Sequence, residues 1–296
     1  MSRQTSPSTQ QPYGVARVLR VWEMPRSTFY AQRVRQARPA TGHRGRPPIV
    51  DDATLLAHIR TVIAESPFHG EGHRKIWARL RALKGVRTSM RRVLRVMRAA
   101  ELLAPARQPE PVVERPHDGT IVTDAPDVMW GTDATAAVTI VDGPATIFAA
   151  IDHCTAECVG IHAARHGDRF EALEPLRQGV RDHFGALAPA GAAGLALRHD
   201  HGSVYLSADF QAEITFLGME SSPAFVRQPE GNGCIERFFR TLKEQLLWVR
   251  HFSTVEELRQ ALLAFKETYN REWLIARLGY RSPAQVRQAS AVRPAA

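Results

Sequence analysis

The spacing of apolar positions changes along the chain. Val15, Val18 and Leu19 recur at helical intervals, and Pro25 suits the first turn of a second helix carrying Arg26, Ser27, Thr28 and Tyr30. Two short helices around a tight turn predict a helix-turn-helix over 12–36, small enough to be incomplete or to need a partner chain. A polar Ser/Gln/Pro-rich tail, 1–11, precedes it, and a Pro/Gly/Arg linker, 37–51, follows. Residues 52–103 predict a second helical unit. Leu55, Leu56, Ile59, Val62 and Ile63 stripe its first helix, and Ile76, Trp77 and Leu80 stripe a second over His73–Leu83. Thr88 and Ser89 can cap a third, MRRVLRVMRAAELL, built around Val93, Leu94, Val96 and Met97. Residues 104–127 form a Pro-rich linker.

Beyond it the pattern shortens to strands. VMWGTDATAAVTI, ATIFAAIDH and TAECVGIHAA are β-rich runs broken at Asp142-Gly143-Pro144 and His153-Cys154, which predicts a meander. A helix over 168–188, the strand GLALRHD, a helix over Ser207–Leu217 and the strand MESSPAF come next. Two long amphipathic helices, Asn232–Val249 and Thr254–Trp273, follow. Trp248 and Trp273 sit among Leu and Phe and read as core. This order predicts an α/β fold, a mixed sheet flanked by helices over 128–290, behind small all-α units and ahead of a short tail, 291–296.

Charge sharpens the picture. The 296 residues carry a formal net charge of +9, distributed unevenly: 22 basic against 9 acidic residues over 1–120, then 17 against 21 over 121–296. Twenty of the first 22 are Arg, which forks onto phosphates and guanine edges better than Lys. A basic first third on a mildly acidic remainder points to a nucleic-acid-binding arm. Arg91, Arg95 and Arg98 fall at i, i+4 and i+7 on the third helix, as a recognition helix requires. Arg44-Gly45-Arg46-Pro47 reads either as a minor-groove hook, with Arg44 and Arg46 entering an A·T groove, or as a basic tether. No run of about 18 apolar residues is present, which excludes a membrane-spanning helix. The N-terminus lacks the apolar stretch of a secretory signal, and three cysteines fit a reducing cytosol.

Three carboxylates stand out. Asp133 lies in the first strand, Asp200 just past a later one, and Glu236 in the first turns of a helix, with 35 residues between it and Asp200. Acids from separated elements can converge at a sheet edge, and hard oxygen donors suit Mg²⁺ or Mn²⁺. Two such ions support phosphoryl transfer. Glu236, Arg240 and Lys243 share one helix face opposite Ile235, Phe238, Phe239, Leu242 and Leu246, and Gly231 and Gly233 precede them. His199 and His201 read as local structure and Asp152 as a turn residue. His153, Cys154, Cys158 and His162 lack the spacing of a closed zinc site.

WGTDAT, RHDHGSVY, the 35-residue interval, PEGNGCIERFFRTLKE and ETYN…LGYRSPAQV together resemble bacterial insertion-sequence transposases of the DDE class, over roughly residues 50–290. The resemblance implies an RNase H-like, retroviral-integrase-like core acting with two Mg²⁺ ions, for which Mn²⁺ can substitute. It makes Asp133, Asp200 and Glu236 the metal-binding triad, with Lys243 and, less directly, Arg240 on DNA. It further implies cleavage at the element end and attack of the freed 3′-OH on target DNA. The expected partners are double-stranded DNA (element ends and target), further copies of the chain on DNA, and a DNA-binding protein encoded upstream. The expected location is the bacterial cytoplasm at the nucleoid. The chain departs from the family pattern at His199, where Ser is common, in the VRQPEGNGC loop, and in NREWLIARLGY near the C-terminus. Rival readings are an RNase H-like nuclease and a catalytically silent DNA-binding regulator.

Overall fold

The computed structural model describes residues 3–37, 49–104, 121–224 and 232–291. Arg44, Arg46 and Gly231 lie outside them. The chain divides into two compact units, Met1–Asp51 and Asp52–Ala296. In the first, helices α1 (Gly14–Val21) and α2 (Arg26–Ala37) are joined by a short turn. Leu19 is buried, but α2 buries no side chain, and Trp22, Tyr30 and Val34 stand exposed.

The second unit opens with α3 (Asp52–Glu65), α4 (His73–Lys84) and α5 (Met90–Ala99). Leu55, Ile59, Val62, Ile76, Leu80, Val93, Val96 and Met97 fill the space between them. Gly85 closes α4 in the left-handed region at φ 63°, where a Cβ is costly. Ser89 caps α5 by accepting the Arg92 N–H. The third helix is shorter than expected and ends at Ala99. The Leu102 N–H turns back to the Met97 carbonyl and Glu101 takes a positive φ, so Glu101–Leu103 leave the helix.

The sheet follows: β1 (Met129–Thr139), β2 (Gly143–Asp152), β3 (Cys158–Ala164), then α6 (Arg169–Phe184), β4 (Ala196–His199), α7 (Ala208–Phe216) and β5 (Glu220–Pro223). The strand order is β3-β2-β1-β4-β5. β1, β2 and β3 pair antiparallel, while β4 and β5 join β1 in parallel. This is the mixed five-stranded sheet flanked by helices that the sequence predicts. One face, with Trp130, Phe148, Ala150 and Val159, is covered by α6 and α7; the other, with Ile147, Ala149 and Ile151, by the C-terminal helices.

Those are α8 (Gly233–Leu242), α9 (Val255–Glu272) and α10 (Pro283–Ala291). α8 runs on into a π-helical turn over 243–247, so the helix expected to reach Val249 changes pitch at Lys243. Trp248 follows that turn and is 70% exposed, not core as expected. It lies in the turn past the end of the helix, off the packed face. Trp273 does pack against the core, edge-on to Phe68 at 4.8 Å.

The edge strand β3 has its outer polar groups satisfied by side chains. Asn270 donates to the Cys158 carbonyl and accepts its N–H, Lys266 donates to the Val159 carbonyl, Gln178 accepts the Ile161 N–H, and Arg259 donates to the Ala163 carbonyl. A covered edge cannot template another strand. The α3–α5 unit docks on the core through a similar substitution of side chain for backbone. Gln245, in the π-helical turn, accepts the His69 N–H and donates to its carbonyl. Arg79, 5% exposed, grips the buried Glu71 with two hydrogen bonds and donates to the Glu272 carbonyl at the end of α9. Among the described residues no helix is long and apolar enough to cross a membrane.

Candidate active site

The parallel pairing of β1 and β4 sets the site. Trp130 is opposite Leu197 and Gly131 opposite Arg198. Continuing that register two residues past the last pair places Asp133 level with Asp200, just past the carboxyl end of β4. Parallel sheets bind ligands outside such carboxyl ends of strands. Asp133 shares its strand face with Ala137, which packs on the side covered by α8, the helix that carries Glu236 in its first turn.

Electrostatics joins these residues. Partial burial pushes the Asp133 carboxyl up to about 6. The Ala134 N–H, donating to Asp133 Oδ1 at 2.8 Å, opposes the rise. The charges of Asp200 and Glu236 add to it, and Lys243 counters them. Two acids and one lysine, from the end of β4 and from α8 with its π-helical extension, therefore act on the Asp133 carboxyl of β1. Asp200 is exposed, and its Oδ1 accepts the Gly202 N–H at 2.8 Å. Glu236 and Arg240 are exposed and Lys243 is half-buried, while Ile235, Phe238, Phe239 and Leu242 face the core.

The donor type, carboxylate oxygen, suits hard divalent cations such as Mg²⁺. Asp133 and Asp200 each commit one oxygen to a neighbouring backbone N–H, which orients the second. The grouping is nevertheless open: among the described residues no three His, Cys, Asp or Glu side chains are gathered closely enough to hold a metal ion. Mutual repulsion of three carboxylates favours such a spread, and it adds to the burial that raises Asp133.

The neighbouring polar residues have local duties. His199 is fully buried. Its ring hydrogen-bonds the Asp200 carbonyl through Nδ1 and the Ser221 hydroxyl through Nε2, and stacks on Tyr205. Burial holds its pKa below the usual imidazole range. Asp152, also fully buried, accepts the Thr155 N–H and hydroxyl and the Asp127 N–H, which fixes the turn after β2. His162 pairs with Glu171 at 2.6 Å, and Cys158 is fully buried with its thiol pushed up to about 12. Tyr205, from HDHGSVY, is buried beside Asp133 and Asp200, and burial raises its phenol strongly. Asn232 is a second site neighbour that sequence reading passed over. Its amide donates to the Thr132 carbonyl at 3.3 Å, next to Asp133.

On α5, Arg91, Arg95 and Arg98 are all exposed while Val93, Val96 and Met97 are buried, so the expected basic stripe faces outward. Arg95 is partly committed. With Arg92 it hydrogen-bonds Asp52 at the start of α3, and these bonds hold the Asp52 carboxyl below its usual range.

Two known family models match parts of the chain. Residues 217–283, which include Glu236 and Lys243, match the integrase core domain, and residues 50–110 match an HTH-like domain. The chain is similar to transposases of bacterial insertion elements. Transposase InsD of insertion element IS2 from Escherichia coli is 28% identical over 276 residues, 92% of this chain and 90% of the relative. A 48.2 kDa protein of insertion element IS2A from the same species is 27% identical over 283 residues. The chain spans 65% of that relative's length. Among solved structures, a chain of a simian T-cell lymphotropic virus intasome complex aligns with TM-score 0.49 and 17% identity, over 83% of this chain and 77% of that one. The HTLV-2 integrase catalytic core in complex with magnesium aligns with TM-score 0.41 and 15% identity, over 55% and 98%.

Proposed function

We propose that this chain is a DNA transposase that cleaves a phosphodiester at the end of an insertion element and joins the freed 3′-OH to target DNA. The observation that carries the reading is the convergence on Asp133 of the charges of Asp200, Glu236 and Lys243 from separate elements. Asp133, Asp200 and Glu236 would hold two Mg²⁺ ions, with Mn²⁺ able to substitute. Bound there, the ions supply activation of the attacking oxygen and stabilisation of the leaving one. The protein side chains hold and orient. Lys243, two turns along the helix from Glu236, meets the DNA backbone beside the carboxylates. Arg240, exposed and paired with Glu244 at 3.1 Å, flanks it. His199 takes no proton in the reaction, because both its ring nitrogens are engaged away from solvent.

The exposed stripe of Arg91, Arg95 and Arg98 binds element ends, and Arg44 and Arg46 contribute from the basic linker. Joining two ends to a target calls for more than one copy of the chain on DNA. A DNA-binding partner encoded upstream would complement the small first unit, whose α2 buries nothing. The protein acts in the bacterial cytoplasm at the nucleoid.

The test is strand joining in Mg²⁺ or Mn²⁺ on duplexes copied from the DNA flanking the gene, wild type beside Glu236→Gln. Joined products from wild type alone, with equal DNA binding by both, support the proposal. Cleavage without joining favours a nuclease. Binding without chemistry from either protein favours a silent regulator.

The basic stripe has its own test. Arg91→Ala with Arg95→Ala is expected to weaken binding to element ends and to flatten the salt dependence by up to about two counterions. The Asp52 pairing of Arg95 places its share at the low end. An unchanged slope in a salt titration of binding would remove α5 from the DNA interface.

A further inference from the structure

The residue that starts the Glu236 helix does not cap it. Before α5, α6, α7 and α9, the side chains of Ser89, Asp168, Ser207 and Thr254 each accept a backbone N–H from the first turn. Asn favours that duty as strongly as Ser or Asp. Asn232 stands in the same position before α8, at φ −115° and ψ 13°, and makes no such bond. Those angles lie near the bridge region rather than in the extended region typical of capping residues. Its amide turns to the sheet instead, where Nδ2 donates to the Thr132 carbonyl.

That choice carries a second cost. Among the described residues, Asn232 Oδ1 is buried without a hydrogen-bond partner, and so is Nε2 of His153. Both atoms lie against Gly131. A Cβ at Gly131 would sit 2.9 Å from Asn232 Oδ1 and 2.7 Å from His153 Nε2. His153 is fixed by its backbone N–H on the Met129 carbonyl and its ring Nδ1 on the Ile121 carbonyl, so it cannot swing aside freely. Gly131 is thus a side-chain-free slot in β1, two residues before Asp133, into which the start of the Glu236 helix is pinned. A helix that forgoes its cap and buries an unpaired acceptor breaks two local rules at one residue. Such lapses concentrate where geometry serves function.

We propose that Asn232 is a positioning residue, whose amide ties the start of α8 to β1 and so sets the spacing of the Glu236 and Asp133 carboxylates, with Gly131 kept bare to admit it. The proposal rests on reading those two acids as metal ligands. It predicts a separation that ordinary helix-starting residues do not show. Serine at 232 supplies the missing cap but has no amide and reaches less far toward Thr132.

Asn232→Ser and Gly131→Ala in the full chain test this with three readouts: melting without metal, Mn²⁺ affinity by electron paramagnetic resonance without DNA, and strand joining. Asn232→Ser is expected to melt at or above the wild-type temperature. Its Mn²⁺ affinity and its joining rate at saturating DNA should each fall about tenfold or more, the range seen when a group orienting a metal ligand is removed. DNA affinity should stay unchanged. Gly131→Ala should show the same losses, because its methyl group displaces the amide. A serine variant that binds Mn²⁺ and joins ends like wild type would overturn the proposal, since a residue needed only to begin the helix is replaced by serine without loss. Wild-type protein that binds Mn²⁺ but joins nothing would refute the transposase reading alone, and the Mn²⁺ titration would then decide for or against the tether.

Discussion

A Gly160→Ala protein is expected to lose about 3 kcal/mol or more of stability and to melt roughly 6–12 °C lower than wild type. Gly160 lies in the middle of β3, opposite Ala150, under the helix α6. A Cβ there would fall 1.9 Å from the Pro175 carbonyl oxygen and 2.7 Å from its Cα. The obstacle is helix backbone, which cannot rotate away as a side chain can. Relief would require α6 to lift from the sheet, loosening Ala172, Leu173, Leu176 and Val180, all buried against it. It would also pull Gln178 from the Ile161 N–H at the sheet edge. Gly179→Ala makes a graded comparison. Its Cβ would meet the Trp130 ring at 2.7 Å, a side-chain contact, and alanine returns some helix propensity. Thermal unfolding followed by circular dichroism checks both. An unshifted Gly160→Ala transition would mean that α6 is not held this close to β3.

That contact also marks a limit of sequence reading. The meander, the order of helices and strands, and the cap at Ser89 were legible because each rests on local spacing or on a residue acting on its own turn. Gly160 and Pro175 are 15 residues apart, and no periodicity announces that a glycine in a strand faces a proline in a helix. The docking of His69 onto Gln245 spans still more chain, and the π-helical turn that presents Gln245 has no pattern of its own. Trp248 was misread for the same reason. Apolar neighbours in sequence do not show which way the chain turns at residue 248.

The site divides along the same line. Asp133, Asp200 and Glu236 stand out as candidates because their residue types, spacing and flanking motifs are local features. The register that brings Asp133 to Asp200 depends on β1 pairing with a strand some 65 residues away, and the openness of the three-acid group depends on distances. Asn232 was passed over because, as a residue before a helix, it looks like an ordinary cap. Only its φ, ψ and the direction of its amide reveal otherwise.

Asp133→Asn is expected to abolish strand joining while making the protein more stable. If Asp133 is a metal ligand, as proposed, the loss should be about a thousandfold or more, since removing such a ligand forfeits several kcal/mol of transition-state stabilisation. The gain follows from the same carboxylate. Its pKa rises from 3.8 to about 6 on folding, first because burial disfavours the charge, then because Asp200 and Glu236 repel it. A raised carboxyl pKa means that the fold favours the protonated form. The associated stability is complete below the unfolded value near 3.8 and is lost as the pH climbs through about 6. Above that pH the ionised side chain costs the native state up to about 3 kcal/mol, from a shift near two units. Asparagine keeps the shape and drops the charge. The variant should therefore melt higher than wild type at pH 8, by roughly 2–4 °C for each kcal/mol relieved. The two proteins should converge at pH 4, where wild-type Asp133 is protonated in the fold. Melting curves of both proteins without metal at the two pH values decide the matter. Equal melting at pH 8 would show that Asp133 does not carry the repulsion of its neighbours. A bound divalent cation should reverse the order, because it stabilises the ionised wild-type site and gains nothing comparable from asparagine.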